Sequence, residues 1–129
     1  MPGLGRWQIA KENRLDNVIF SKSILYAELP KYYSAADCFV LPSYPDPSPK
    51  VIYEALACGT PILATNGGGI PELINGTNNL LVRPKDPNDL ADKLKYMLTR
   101  NNVIRNTKIF TWEKSVNEII KLYNEVLYQ

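Results

Sequence analysis

Four short apolar runs, NVIF (17–20), CFVLP (38–42), PILAT (61–65) and NLLVR (79–83), lack the apolar–polar alternation of a half-exposed strand. A strand reads as continuously apolar when both of its faces are covered, as in a parallel sheet between helical layers. The segments between the runs, AELPKYYSAAD, SPKVIYEALAC and GGIPELI, are helix-forming and of crossover length. This order predicts an α/β layer fold with about four parallel strands and right-handed connections.

The last third predicts helices alone. In KDPNDLADKLKYMLTR, Asp86 suits an N-cap, Pro87 the first helical position and Asp89 the positive end of the helix dipole. Leu90, Leu94, Met97 and Leu98 then form one apolar stripe. In FTWEKSVNEIIKLYNEVLYQ, Thr111 is placed to cap a helix on which Trp112, Val116, Ile119, Ile120, Tyr123 and Leu127 share a face. The 129 residues hold no repeat and no low-complexity linker. A single domain is expected, with an α/β core over 14–100 and C-terminal helices over 101–129.

Composition removes several functions. Fifteen basic residues against 13 acidic ones leave a net charge of +2, too balanced for a binder that works by neutralising nucleic-acid phosphates. The scattered cations of RNNVIRNTK read as a solvated face. No run approaches the ~20 apolar residues of a membrane span. A chain that opens without a secretory leader is expected in the cytoplasm. Cys38 and Cys58 lie in apolar segments and are expected as reduced core thiols. Histidine is absent, which excludes Ser-His-Asp and Cys-His catalysis within the chain and argues against a zinc site. Any chemistry falls to carboxylates, lysines, arginines, hydroxyls and backbone amides.

The densest signals surround residue 48. Ser48 is a good N-cap, Pro49 fits the first helical position, and KVIYEALAC runs on to Gly59. The helix follows CFVLPS, so its N-terminus sits at the carboxyl end of a parallel strand, where α/β sheets bind ligands. Amides of Lys50 and Val51 there form an anion site for a phosphate or diphosphate, and Lys50 adds a charge. Asp46 precedes the helix, where the dipole favours an acid. Glu54 interrupts an otherwise apolar helix and leans back toward the same edge. There it can accept hydrogen bonds from a vicinal diol such as a ribose, or else face solvent or a salt-bridge partner. A second Gly-rich element, ATNGGGIPELI, follows the next strand. Its Gly67, Gly68 and Gly69 permit a tight turn or close approach of backbone to a ligand. Glu72 fits there as an acid in the first turn of a short helix.

The stretch AADCFVLPSYPDPSPKVIYEALACGTPILATNGGGIPELINGTNNLLVRPKDPNDLADKL resembles the nucleotide-sugar-binding half of retaining GT-B glycosyltransferases, the group 1 or family-four type. The matching features are an acid, seven residues and a Glu (Asp46 and Glu54), then EALACGTP, GGIPE and LLVRPKDP. The resemblance covers roughly residues 15 to 127 and implies a partial Rossmann-like, three-layer domain with a helical C-terminal arm. It implies that Glu54 binds the ribose hydroxyls of the donor. It implies too that Asp46, a Glu in most members, contacts the donor sugar near the reacting carbon. Ser48, Pro49, Lys50 and Val51 match the segment that meets sugar and diphosphate, and Ser21 to Ile24, with Ser23, match the loop lining the nucleobase. Gly68 belongs to the second substrate-binding element. The donor is a nucleoside diphosphate sugar, and no metal or other cofactor is expected.

In the family the sheet runs 3-2-1-4-5-6 and catalysis takes place in a cleft between two such domains. By that register NVIF is strand three and the later runs are strands four to six. The acceptor domain, strands one and two, and the basic pair that neutralises the leaving diphosphate have no counterpart here. The chain is therefore expected to be truncated, inactive alone, and dependent on an N-terminal acceptor domain or partner subunit. NVIF is then expected either to collapse directly beside CFVLP or to leave an open edge, which would favour self-association. The expected function is a glycosyltransferase donor-binding domain; the alternative is a non-catalytic nucleotide-sugar-binding module or one subunit of a two-chain transferase. Cytoplasm, or the cytoplasmic membrane face, is the expected location.

Overall fold

The computed structural model describes residues 4–43, 47–75, 78–100 and 111–127. Helix α1 (Leu4–Glu12) is followed by a 3-10 turn (Tyr26–Glu28) that runs into α2 (Leu29–Ala35). Then come β1 (Phe39–Leu41), α3 (Lys50–Ala57), β2 (Ile62–Thr65), α4 (Ile70–Ile74), β3 (Leu80–Val82), α5 (Pro87–Thr99) and α6 (Trp112–Leu127). The strands form one parallel sheet in the order β1-β2-β3, with Phe39 opposite Ile62 and Leu63 opposite Leu80.

The apolar runs at 38–42, 61–65 and 79–83 each supply a strand, but NVIF does not. Residues 17–20 are irregular and exposed, Ile19 at 93%. A strand covered on both faces needs helices above and below it, and α3, α4 and α5 lie over β2 and β3. Without cover, a few ladder hydrogen bonds do not offset the entropy of ordering the segment. The sheet thus has three strands among the described residues, and the outer edge of β1 stays open.

Side-chain alternation along β2 divides the core in two. Ile62 and Ala64 join Ile52, Ala55 and Leu56 of α3 and Ile70 and Ile74 of α4. Leu63 points the other way, to Val82 and to Met97 of α5. Every residue of β2 is buried, whereas those of β1 are half-buried. Three layers result, and both faces of the central strand are covered as the unbroken apolar run PILAT requires.

Helix boundaries follow local chemistry with one exception. Gly59 (φ 68°) ends α3 in the left-handed region, and its amide donates to the Leu56 carbonyl at 3.1 Å while the Thr60 amide donates to Ala55 at 2.9 Å. This pair satisfies two carbonyls that a helix end leaves without partners. Asp86 caps α5 by accepting the Asp89 amide at 2.9 Å, and the Thr111 hydroxyl accepts the Lys114 amide at 3.2 Å ahead of α6. Replacing Asp86 by alanine is expected to cost about 1 kcal/mol, measurable by urea denaturation. An unchanged midpoint would mean that other contacts hold the helix start. The exception is α3: Pro49, not Ser48, is the N-cap residue, and no side chain caps it.

On α5 the buried stripe consists of Leu90, Leu94 and Met97. Leu98 falls outside it, 57% exposed, because it lies one position round the helix from Met97. The shared face of α6 is as the spacing requires, but its residues are exposed, from Val116 at 47% to Trp112 at 88%. No helix among the described residues is long and apolar enough to cross a membrane.

Candidate functional site

The carboxyl ends of the three strands define one edge. Leu41 of β1 leads to Pro42 and Ser43, Thr65 of β2 to the glycines, and Val82 of β3 to Arg83. Helices α3 and α4 both begin there, so two strand–turn–helix units share the edge as the sequence predicts. A cavity of about 590 Å³ opens at the strand ends, lined by Pro42, Ser43, Thr65, Val82, Lys85 and Leu90 among others. The Ser43 hydroxyl oxygen is buried in this region without a hydrogen-bond partner.

Cations beside this cavity are engaged. Arg83 reaches Asp86 at 3.0 Å and Asp89 at 3.8 Å, and its amide donates to Asp89 at 2.7 Å. Lys93 donates to Asp89 at 2.9 Å and to the Leu81 carbonyl at 2.7 Å. The Arg83 amide, then the Lys93 ammonium, hold the Asp89 carboxyl below its ordinary range. The network ties α5 to β3 and engages Arg83, Asp86 and Asp89 of RPKDPND without a ligand.

The expected contacts divide. Asp46 lies outside the described residues. Ser48 is exposed, and its hydroxyl pairs with that of Tyr53 at 3.1 Å instead of capping α3. Pro49 is buried, Lys50 exposed and Val51 half-buried. With α3 beginning at Lys50, the Lys50 and Val51 amides have no acceptor one turn earlier within the helix. Ser23 is exposed in an irregular segment and does not line the strand-end cavity. Gly68 is exposed with φ 59°, a conformation that a glycine supplies for the turn after β2. Gly69 answers the expectation of close backbone approach in another way. A Cβ there would overlap the Pro47 carbonyl oxygen and lie 3.1 Å from its carbon. The glycine admits the neighbouring loop, and the two Gly- and Pro-rich elements pack backbone to backbone.

Glu54 occupies the second turn of α3 and is half-buried. Neither a solvent-facing nor an ion-paired role describes it, since no salt bridge to Glu54 exists among the described residues. Its partner is the Tyr33 hydroxyl, which donates to Oε2 at 2.9 Å. Burial, then the hydrogen bond to Glu54, pushes the Tyr33 phenol well above its ordinary pKa, so it stays a donor. Beside the pair is a small cavity of about 180 Å³ lined by Tyr26, Leu29, Pro30, Tyr33, Glu54 and Cys58, with Ala57. Its walls are mostly apolar. Tyr33 is the residue that sequence reasoning missed, because AELPKYYSAAD served there only as a crossover. No spacing rule links positions 33 and 54. Cys38 and Cys58 are both free and half-buried, and burial raises the Cys38 thiol pKa.

Comparison with known proteins gives this geometry a lineage. Residues 3–100 match the family described as Glycosyl transferases group 1. The D-inositol 3-phosphate glycosyltransferase of Thermobifida fusca is 34% identical over 112 residues, 80% of this chain and 26% of that protein. A glycosyltransferase of Methanocaldococcus jannaschii is 30% identical over 125 residues, covering 89% of this chain and 35% of its own. The chain thus spans about a quarter to a third of the length of these relatives. Sucrose-phosphate synthase from Thermosynechococcus elongatus shares the fold with a TM-score of 0.74 at 32% identity, over 95% of this chain and 34% of that one. A family match over residues 3–100, relatives 30–34% identical over most of the chain and a shared fold at 32% identity place the chain in the group 1 glycosyl transferases, as part of a GT-B fold.

Proposed function

We propose that the chain is the donor-binding part of a retaining glycosyltransferase, which moves a glycosyl group from a nucleoside diphosphate sugar to an acceptor. One observation carries the reading. Glu54 is a half-buried carboxylate in the second turn of α3, the helix that begins at the strand-end edge, and a neutral hydroxyl is its partner. A carboxylate so placed has acceptor capacity to spare for two ribose hydroxyls. The diphosphate then lies against the first turn of α3, at the Lys50 and Val51 amides and the Lys50 ammonium. By the family resemblance the donor sugar is assigned to Asp46 and the nucleobase to residues 21–24.

Catalysis in the complete enzyme rests on orienting the donor and stabilising the departing diphosphate. The chain alone has little or no transferase activity, because one wall of the cleft comes from the rest of the enzyme. The outer edge of β1 and the exposed face of α6 are surfaces against which that remainder, or a partner subunit, packs. The relatives are named for different chemistry, D-inositol 3-phosphate in one and sucrose phosphate in another, so the reading stops at the donor.

Titration calorimetry with UDP, GDP and ADP tests it. One of them is expected to bind, with affinity reduced about tenfold or more in Glu54→Ala, the worth of hydrogen bonds to a charged group. Binding that survives the substitution intact would remove the ribose role. Turnover of a sugar nucleotide by the isolated chain would remove the claim of inactivity.

A further inference from the structure

We infer that Tyr33 is a positioning residue for the donor, its hydroxyl holding one oxygen of the Glu54 carboxylate so that the other is presented to the ribose. The inference rests on the donor reading above and adds a residue to it. A glutamate side chain on a helix surface has three rotatable bonds, and an unrestrained carboxylate would sample orientations that cannot receive a diol. Here Oε2 takes the Tyr33 hydroxyl at 2.9 Å, and no other described group donates to the carboxylate. Two lone-pair directions on Oε1 therefore remain for hydroxyl donors.

The tyrosine is itself fixed at three points. Its ring meets Phe39 of β1 edge-on, with centroids 5.4 Å apart and planes at 71°, an arrangement favoured by aromatic quadrupoles. Its backbone carbonyl accepts the Thr60 hydroxyl at 2.7 Å, and Thr60 is 2% exposed in the loop leaving α3. The ring also packs on the cluster around Ile52 and Leu56. The hydroxyl is thus delivered from α2 to α3 by a rigid arm, and a ligand would meet a carboxylate already oriented. Pre-orientation lowers the entropy that binding must overcome. Tyr33 touches Glu54 and lies on the wall of the same small cavity, so its effect on a ligand passes through the carboxylate.

The test is a ratio. Affinities of UDP, GDP and ADP are compared with those of their 2′-deoxy counterparts for the intact chain, Tyr33→Phe and Glu54→Ala. The unaltered chain is expected to prefer the ribonucleotide about tenfold, the usual worth of one hydrogen bond to a carboxylate. Tyr33→Phe is expected to reduce that preference to about twofold with deoxy affinity unchanged, a smaller loss than removing Glu54 because one anchor alone is gone. Substituting p-aminophenylalanine at position 33 restores a donor and the preference; p-methylphenylalanine, of similar size without a donor, does not. The latter pair also carries the test if Tyr33→Phe fails to fold. A preference that persists in Tyr33→Phe while Glu54→Ala abolishes it overturns the positioning role and leaves the donor reading standing. Equal losses for ribo and deoxy ligands overturn it as well, since they mark a packing role. No preference in the unaltered chain removes the donor reading, and the positioning role with it.

Discussion

Replacing Leu63 by alanine is expected to remove about 3–5 kcal/mol of folding stability, as for other fully buried leucines whose site cannot collapse. Leu63 is the middle of the central strand, 0% exposed, and packs against Val82 and Met97 with Val40, Leu80, Leu90 and Leu94 around them. These neighbours come from β1, β3 and α5, so no single element can move in to fill the space. A domain of this size has a total stability of about 5–15 kcal/mol at best. An open strand edge and an exposed apolar helix place this chain toward the low end of that range. The variant should therefore be largely unfolded at 37 °C by circular dichroism, while Leu98→Ala, at a position 57% exposed, should change stability by less than about 0.5 kcal/mol. A loss below about 1 kcal/mol at position 63 would mean that the second core cluster does not hold α5 to the sheet.

Replacing Gly69 by alanine is the second large effect. A Cβ at Gly69 would overlap the Pro47 carbonyl oxygen, which is backbone and cannot swing aside as a flexible side chain would. One of the two loops must move. Forced overpacking of this kind costs about 1–3 kcal/mol. The functional consequence is sharper than the stability cost, because Pro47 leads directly into Pro49 and the first turn of α3. Displacing it withdraws the Lys50 and Val51 amides from the edge they share with α4. Nucleoside diphosphate affinity should fall about tenfold or more, equivalent to ~1.4 kcal/mol, with far-UV circular dichroism little changed. The substitution introduces no φ problem, since Gly69 has φ −85°, and this isolates the steric effect from conformational strain. Unaltered affinity in Gly69→Ala would separate the loop contact from ligand binding.

The helix limits show how far local chemistry reached. Asp86, Pro87 and Thr111 announce their helices because capping and proline geometry involve residues within four positions of one another. Gly59 ends α3 for the same reason. Ser48 failed as a cap through a competing local partner: its hydroxyl meets Tyr53, five residues on, and the backbone turns into the helix one residue later than the sequence suggests. NVIF has the composition of a buried strand, but composition does not supply covering helices. Leu98 was assigned to a stripe that begins to turn away from the sheet at its position.

The candidate site divides in the same way. Glu54 was legible as an acid breaking an apolar helix, an anomaly visible in eight residues of sequence. That it is held by Tyr33, 21 positions earlier, was not, because the pairing depends on how α2 packs beside α3. The glycines of ATNGGG were legible as a request for close approach, though not what approaches. What the sequence by itself determined here is three of the four strands, the helix limits at Gly59, Asp86 and Thr111, and the acid that interrupts the apolar helix α3. Each follows from periodicity or from hydrogen bonds between residues close along the chain. Tertiary structure alone decided that three strands form among the described residues, that Pro47 fills the space over Gly69, and that a tyrosine hydroxyl meets the glutamate. These are contacts between distant segments, and packing geometry, not local preference, selects them.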